Sequence, residues 1–199
     1  MTTLDLLPAL AGFAFVSLIT PGPNNLMLMT SGANFGVVRT MPHIWGVALG
    51  FSAMIAAVGL GLSGLFHAIP GSQAVLKVAS VAYLLWLAWR IATADPHLDE
   101  AKRGARPMTF WEACAFQWVN PKGWAMALTA CAAYTFGRTG EVAVVALVFF
   151  VLGLPSVWAW AALGQEMRRF LTSPARLRAF NVTMAVLLVA TLWPILRAL

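Results

Sequence analysis

Leu18-Ile19-Thr20-Pro21-Gly22-Pro23-Asn24-Asn25 interrupts an apolar stretch that runs from about Leu6 to Met29. Proline has no amide hydrogen and its ring clashes with the preceding turn, so this pair ends a helix and strands carbonyls one turn back. A matching interruption, Trp118-Val119-Asn120-Pro121-Lys122-Gly123, falls in a second apolar stretch that begins at Trp111. Pro121 follows Pro21 by 100 residues in a chain of 199. Each interrupted stretch is followed by two more apolar segments, so the chain divides into two halves of like design.

Composition says where such a chain resides. Hydrophobic residues make up 60% and charged residues 10%, with a mean hydropathy of +0.79. A soluble domain carries about 25% charged residues. Twenty charged side chains cannot cover a water-facing surface of this size, which excludes a soluble globule, a disordered chain and a secreted disulfide scaffold. Nine Trp and twelve Phe suit a lipid-facing surface and its interfaces. Residues 1–7 contain Asp5 and no Lys or Arg, so the first apolar stretch is expected to be a retained span, not a signal peptide.

Six spans are expected, each needing about 20 residues to cross the hydrocarbon core. They run from about Leu6 to Met29, Ile44 to Phe66, Gln73 to Ala94, Trp111 to Phe136, Val142 to Gln165 and Ala179 to Leu196. The third is weakest because it holds Lys77 and Arg90, whose long stems can snorkel to the headgroups; a five-span alternative lays it in the interface. Pro155 and Pro194 are expected to kink the fifth and sixth spans. The expected fold is an all-α integral membrane protein of six transmembrane helices in two inverted three-helix repeats, with the first and fourth helices broken at Pro. The repeats are 1–94 and 111–199, joined by a charged, proline-bearing linker at 95–110.

The net charge of +6 marks loops rather than a nucleic-acid partner. Arg39, Arg90, Lys102, Arg103, Arg106, Arg168, Arg169, Arg176 and Arg178 fall on one side of the six-span topology, and Lys77, Arg138 and Arg197 on the other. By the positive-inside rule the first group faces the cytoplasm and both termini face the periplasm.

Broken helices at matching places in inverted halves point to a transporter's binding site. Irregular backbone at membrane depth must face protein or a wet cavity. Asn24, Asn25, Gln117 and Asn120 bring amide donors and acceptors to that depth, and Lys122 adds a charge that is costly unless it is used. The free amides of half-helix N-termini favour a carboxylate. A single break would read as a kink capped by asparagine; two matching breaks with a lysine read as a site.

Other side chains give less. Cys114 and Cys131, seventeen residues apart on one span, are too distant for a disulfide and read as packing residues. His43 and His67 lie near opposite ends of the second span and His97 in the linker, so no metal set or cofactor is implied. His43 reads as interfacial. Gly46 and Gly50, followed by Ala53, Ala57, Gly61 and Gly64, read as a close-packing stripe.

Thr20-Pro21-Gly22-Pro23-Asn24-Asn25, then Gly32-Ala33-Asn34-Phe35-Gly36, then Gly46-Val47-Ala48-Leu49-Gly50, resemble the LysE/RhtB superfamily of amino-acid exporters. Phe116-Gln117-Trp118-Val119-Asn120-Pro121-Lys122 is similar to that family's second hallmark. The resemblance extends over the whole chain in length, span count and motif order. It implies a bacterial inner-membrane exporter of amino acids or related metabolites, with protons as the coupling ion. It matches Pro21, Gly22, Pro23, Asn24, Asn120, Pro121 and Lys122 residue by residue. The expected substrate-binding set is Thr20, Pro21, Gly22, Pro23, Asn24, Asn25, Gln117, Asn120, Pro121 and Lys122. Every acidic residue lies near a span end or in the linker, so the expected cargo is neutral, of the threonine, homoserine or leucine type. Lys122, Glu112 and His43 are the candidates for proton coupling. A membrane-embedded thiol-redox or other enzyme, and a non-transporting scaffold, are the competing readings. A six-helix chain of this size is compatible with a homodimer.

Overall fold

Proline and glycine set the ends of most elements. The computed structural model describes residues 5–64, 68–94, 106–135 and 139–193, and all its regular elements are helical. In chain order they are α1 (Leu7–Ile19), α2 (Pro23–Phe35), α3 (Val37–Gly59), a short 3-10 turn (Leu62–Gly64), α4 (Ser72–Ala92), α5 (Phe110–Gln117), α6 (Pro121–Tyr134), α7 (Thr139–Met167) and α8 (Pro174–Ala190). Pro23, Pro121 and Pro174 sit at helix starts, where the missing amide costs nothing. Gly36, at φ 79°, turns α2 into α3, a backbone conformation that suits glycine. Thr109 and Glu112 form a reciprocal capping box at the start of α5.

Three described helices are long and apolar enough to cross a membrane by length and composition: α3, α4 and α7. The first and fourth apolar stretches miss that criterion because proline divides them, the first into α1 and α2, the fourth into α5 and α6. Several bounds differ from those expected. The helix after the first break continues to Phe35, beyond Met29. The second apolar segment becomes α3, which begins at Val37, seven residues before Ile44. Its first turns carry Arg39, Thr40 and His43, whose polarity disguises them as loop, and it runs through Pro42. The sixth begins at Pro174, capped by Ser173, five residues before Ala179. Helix α7 likewise continues through Pro155. Pro194, His67, His97, Arg138, Arg197 and most of the linker lie outside the described residues.

Packing proceeds from small residues. A Cβ on Gly32 would overlap the Ala161 carbonyl oxygen, and one on Gly164 would overlap the Met29 carbonyl, so α2 and α7 meet backbone to backbone. A Cβ on Gly46 would overlap the Phe110 carbonyl, and one on Gly50 would stand 2.7 Å from the Cys114 Cα, which brings α3 against α5. The contact positions run in opposite chain directions on α2 and α7, which pack antiparallel, and in the same direction on α3 and α5, which pack parallel. The stripe expected beyond Gly50 does not continue as read: Gly61 and Gly64 have open space around them, and Gly59 meets Val142 instead. Leu10, Ala14, Phe51, Ile55, Ala127 and Phe149 fill one core region, between α1, α3, α6 and α7. On α4, Ser80, Leu84, Leu87 and Ala88 make a single buried stripe, and it packs with Leu177, Phe180, Met184 and Leu188 of α8. The outer faces stay apolar: Val75 is 71% exposed, Trp89 62%, Leu147 59% and Val186 61%. In water such a surface would aggregate; in lipid it is the solvated side.

Candidate functional site

The two breaks meet. Lys122, on the first turn of α6, reaches across to the first break and donates from Nζ to the Thr20 carbonyl at 2.6 Å. Its stem lies over Gly22, where a Cβ would come within 2.6 Å of the Lys122 Cδ. Gly22 is therefore needed for close approach: a side chain there would dislodge the amine. One N–H of three is used in this contact, so the ammonium has donors left for another acceptor.

A second bridge lies beside the first. Asn24 Nδ2 donates to Gln117 Oε1 at 2.9 Å, and Gln117 Nε2 donates back to Asn24 Oδ1 at 3.2 Å. Gln117 also donates to the Ala113 carbonyl at 2.9 Å, which fixes its orientation. These bonds join residues 93 positions apart in sequence and tie the first broken stretch to the second.

The other amides serve the backbone. Asn25 Nδ2 donates to the carbonyls of Leu18 at 2.8 Å and Thr20 at 2.9 Å, groups left without helical partners where α1 ends at the break. Ser156 of α7 donates to the Leu18 carbonyl as well, at 3.2 Å. Asn120 is the N-cap of α6, its side chain accepting from the Lys122 amide. Trp124 Nε1 donates to the Trp118 carbonyl at 2.9 Å. Buried polar groups need such partners. Asn25→Ala is accordingly expected to destabilise the protein by about 1–3 kcal/mol, since it removes two hydrogen bonds and leaves the Thr20 carbonyl to Lys122 and the Leu18 carbonyl to Ser156; a thermal melt in detergent measures it.

The expected set thus separates by place. Gly22, Asn24, Asn25, Asn120 and Lys122 line one small cavity of about 40 Å³, together with Gly123 and residues of α1, α3 and α7. Gln117 is fully buried behind Asn24, and Pro23 is buried at the start of α2. Thr20 and Pro21 are exposed; Thr20 takes part through its carbonyl, and its hydroxyl turns back to Val16. The N-terminus of α2, which begins beside this cavity, has no side-chain cap hydrogen bond.

Three residues differ from their sequence reading. Cys114 and Cys131 occupy two helices, α5 and α6, because the break falls between them. Each thiol donates to α3, Cys114 to the Gly46 carbonyl at 3.3 Å and Cys131 to that of Ile55 at 3.6 Å. His43 is not interfacial. The early start of α3 carries it into the interior, where it is 1% exposed and neither ring nitrogen has a partner. A larger cavity of about 250 Å³, at the end of the bundle nearest the linker, is bounded by His43 and by α2, α4 and the segment entering α5. No sequence signal marked that cavity, since its walls come from four distant segments.

Residues 15–191 match the family described as LysE type translocator. The chain belongs to the LysE translocator family. Its relatives include the cysteine/O-acetylserine efflux protein of Escherichia coli, 30% identical over 191 residues, covering 94% of this chain and 95% of that one. The counterpart in Shigella sonnei matches to the same extent. That of Shigella flexneri serotype 5b is 30% identical over 188 residues, covering 92% and 94%. No solved structure matches the chain. Membership in the LysE family agrees with the resemblance carried by the two proline-broken motifs, and it makes this chain a membrane transporter of the amino-acid efflux type.

Proposed function

We propose that this LysE-family protein exports small neutral amino acids by alternating access, with the crossing of its two broken helices as the central site. The observation that carries the reading is the contact of one break with the other: Lys122 on the Thr20 carbonyl, beside the Asn24–Gln117 pair. A substrate carboxylate would take the open amides of α2 and the ammonium of Lys122, and its amino group would take the amide oxygens of Asn24 or Asn120. Cargo of serine or cysteine size fits this reading, supported by the names of the relatives and by a lining without carboxylates. It replaces a leucine-like cargo as first choice, because the cavity is narrow.

The six-span, two-repeat topology belongs to the same reading. Helix order supports it: α1 with α2, α3, α4, α5 with α6, α7 and α8 make six passes, and three passes per half invert the second. Arg39, Arg90, Arg106, Arg168, Arg169, Arg176 and Arg178 all adjoin helix ends on one side of that arrangement. Under the positive-inside rule this is the cytoplasmic side of the inner membrane, with both termini periplasmic. Protons are the proposed coupling ion, and a homodimer the proposed assembly.

Growth protection tests the function. Cells expressing the chain, challenged in turn with toxic levels of cysteine, O-acetylserine, threonine, homoserine, leucine and lysine, are expected to survive the first two best and to gain nothing against lysine. Preferential protection against lysine overturns the cargo assignment. Inverted vesicles then measure the carrier directly. Uptake of labelled O-acetylserine is expected to collapse when a protonophore removes the proton gradient; uptake that ignores the protonophore removes proton antiport.

A further inference from the structure

His43 is a buried polar group without a partner. Its ring is 1% exposed, both nitrogens lack hydrogen bonds, and it lines the 250 Å³ cavity near the linker. Burying an unsatisfied polar group costs free energy, so such a group in a cavity wall marks the place of a ligand or water that completes it. The volume lies just under the ~300 Å³ at which pockets for drug-sized ligands begin, which is the scale of a small metabolite.

The walls state the chemistry. An uncharged imidazole offers one N–H donor and one bare nitrogen, so its complement must both accept and donate. Arg90 stands on the α4 wall with its guanidinium 5.0 Å over the Trp86 ring. Glu112 also borders the cavity, but its carboxylate is already engaged by Arg106, in two contacts of 2.6 Å, and by the Thr109 amide at 2.8 Å. A simple anion would suit the arginines and leave the acceptor nitrogen of His43 unanswered. A cation would suit that nitrogen and meet two guanidiniums. A zwitterion answers both.

We propose that this cavity is a second binding subsite, separate from the crossing of the breaks, for the α-amino-acid head group of a zwitterion. Its carboxylate faces Arg90 and its ammonium donates to the bare nitrogen of His43 and the Thr30 hydroxyl oxygen; Met27 and Leu87 flank the short side chain. It rests on the exporter reading only for the direction of flow, in which this subsite loads cargo before the central site. Met27 and Asn24 lie one turn apart on α2, so one helix face borders both cavities.

The test labels a cysteine in the wall. Ile91→Cys, in the full chain with Cys114→Ala and Cys131→Ala, is reacted with N-ethylmaleimide in detergent. L-serine and O-acetylserine are expected to slow labelling, whereas N-acetylserine, without the ammonium, and serine methyl ester, without the carboxylate, do not. Adding His43→Leu is expected to raise the half-protecting concentration roughly tenfold or more, the worth of a hydrogen bond to a charged group. His43→Asn, which keeps a donor and an acceptor, is expected to retain part of the protection and controls for loss of folding. Absent protection by serine and O-acetylserine in folded protein, equal protection by either blocked analogue, or unchanged protection in His43→Leu overturns the subsite. Vesicle uptake by the same cysteine variant separates the two readings. Uptake without protection removes the subsite and keeps the exporter; protection without uptake of any amino acid does the reverse.

Discussion

Lys122→Met is expected to lower transport by roughly two orders of magnitude while leaving the amount of folded protein nearly unchanged. Among the described residues Lys122 is the one charged group lining the 40 Å³ cavity, and a hydrogen bond to a charged group is worth about 1.5–3 kcal/mol. Methionine fills the volume of the lysine stem over Gly22 and removes only the charge. The Thr20 carbonyl keeps the Asn25 amide at 2.9 Å, so no backbone group is orphaned. Uptake of labelled O-acetylserine by inverted vesicles, normalised to protein that elutes as a single peak in detergent, reads both quantities. Gly22→Ala is expected to act in the same direction, because its Cβ meets the lysine stem at 2.6 Å. Full transport in Lys122→Met removes the lysine from the site.

The largest effect on folding is expected from Gly164→Val. A Cβ at this position overlaps the Met29 carbonyl oxygen and also approaches the Ala33 amide nitrogen at 3.0 Å, both backbone atoms of α2. A flexible side chain could turn away; a helix backbone cannot. The helices must separate, which loosens the packing of Leu28, Val157 and Ala161 together. Overpacking of this kind costs about 3 kcal/mol or more. The measurement is the fraction of monodisperse protein after detergent extraction, with the melting temperature of what remains. Gly12→Val is the matched control, since nothing stands within 4 Å of a Cβ there, and it is expected to behave as the parent chain. Equal melting temperatures for the two variants would show that α2 and α7 do not need this approach.

The breaks were legible because proline acts locally. At Pro21-Gly22-Pro23 and Asn120-Pro121 the missing amide stands beside glycine or a capping asparagine, and the helices stop and restart there, whereas the lone Pro42 and Pro155 are carried inside α3 and α7. Helix ends set by tertiary partners were less legible. Helix α3 starts early because its first turns are answered from α2 and α7: Thr40 pairs with Ser31 at 2.9 Å, and the Val37 amide with Gln165 at 2.7 Å. Hydropathy scores those residues as loop because it cannot see their partners. The same limit hid His43, and it hid Gly164, a lone glycine within an apolar run. Asparagine roles were half legible. The sequence placed Asn24 and Asn25 at one depth, yet adjacent residues on a helix point about 100° apart. One therefore reaches Gln117 and the other caps its own backbone.

The narrowness of the central cavity bears on what a cargo must leave behind. A water needs about 10–15 Å³ of probe-occupied volume, so 40 Å³ holds about three. A solute that enters such a space would shed most of its hydration shell, and the amides and the ammonium beside it would have to replace those waters one for one. Selection would then fall on the polar pattern of the solute, since a group left unanswered there carries its full desolvation cost.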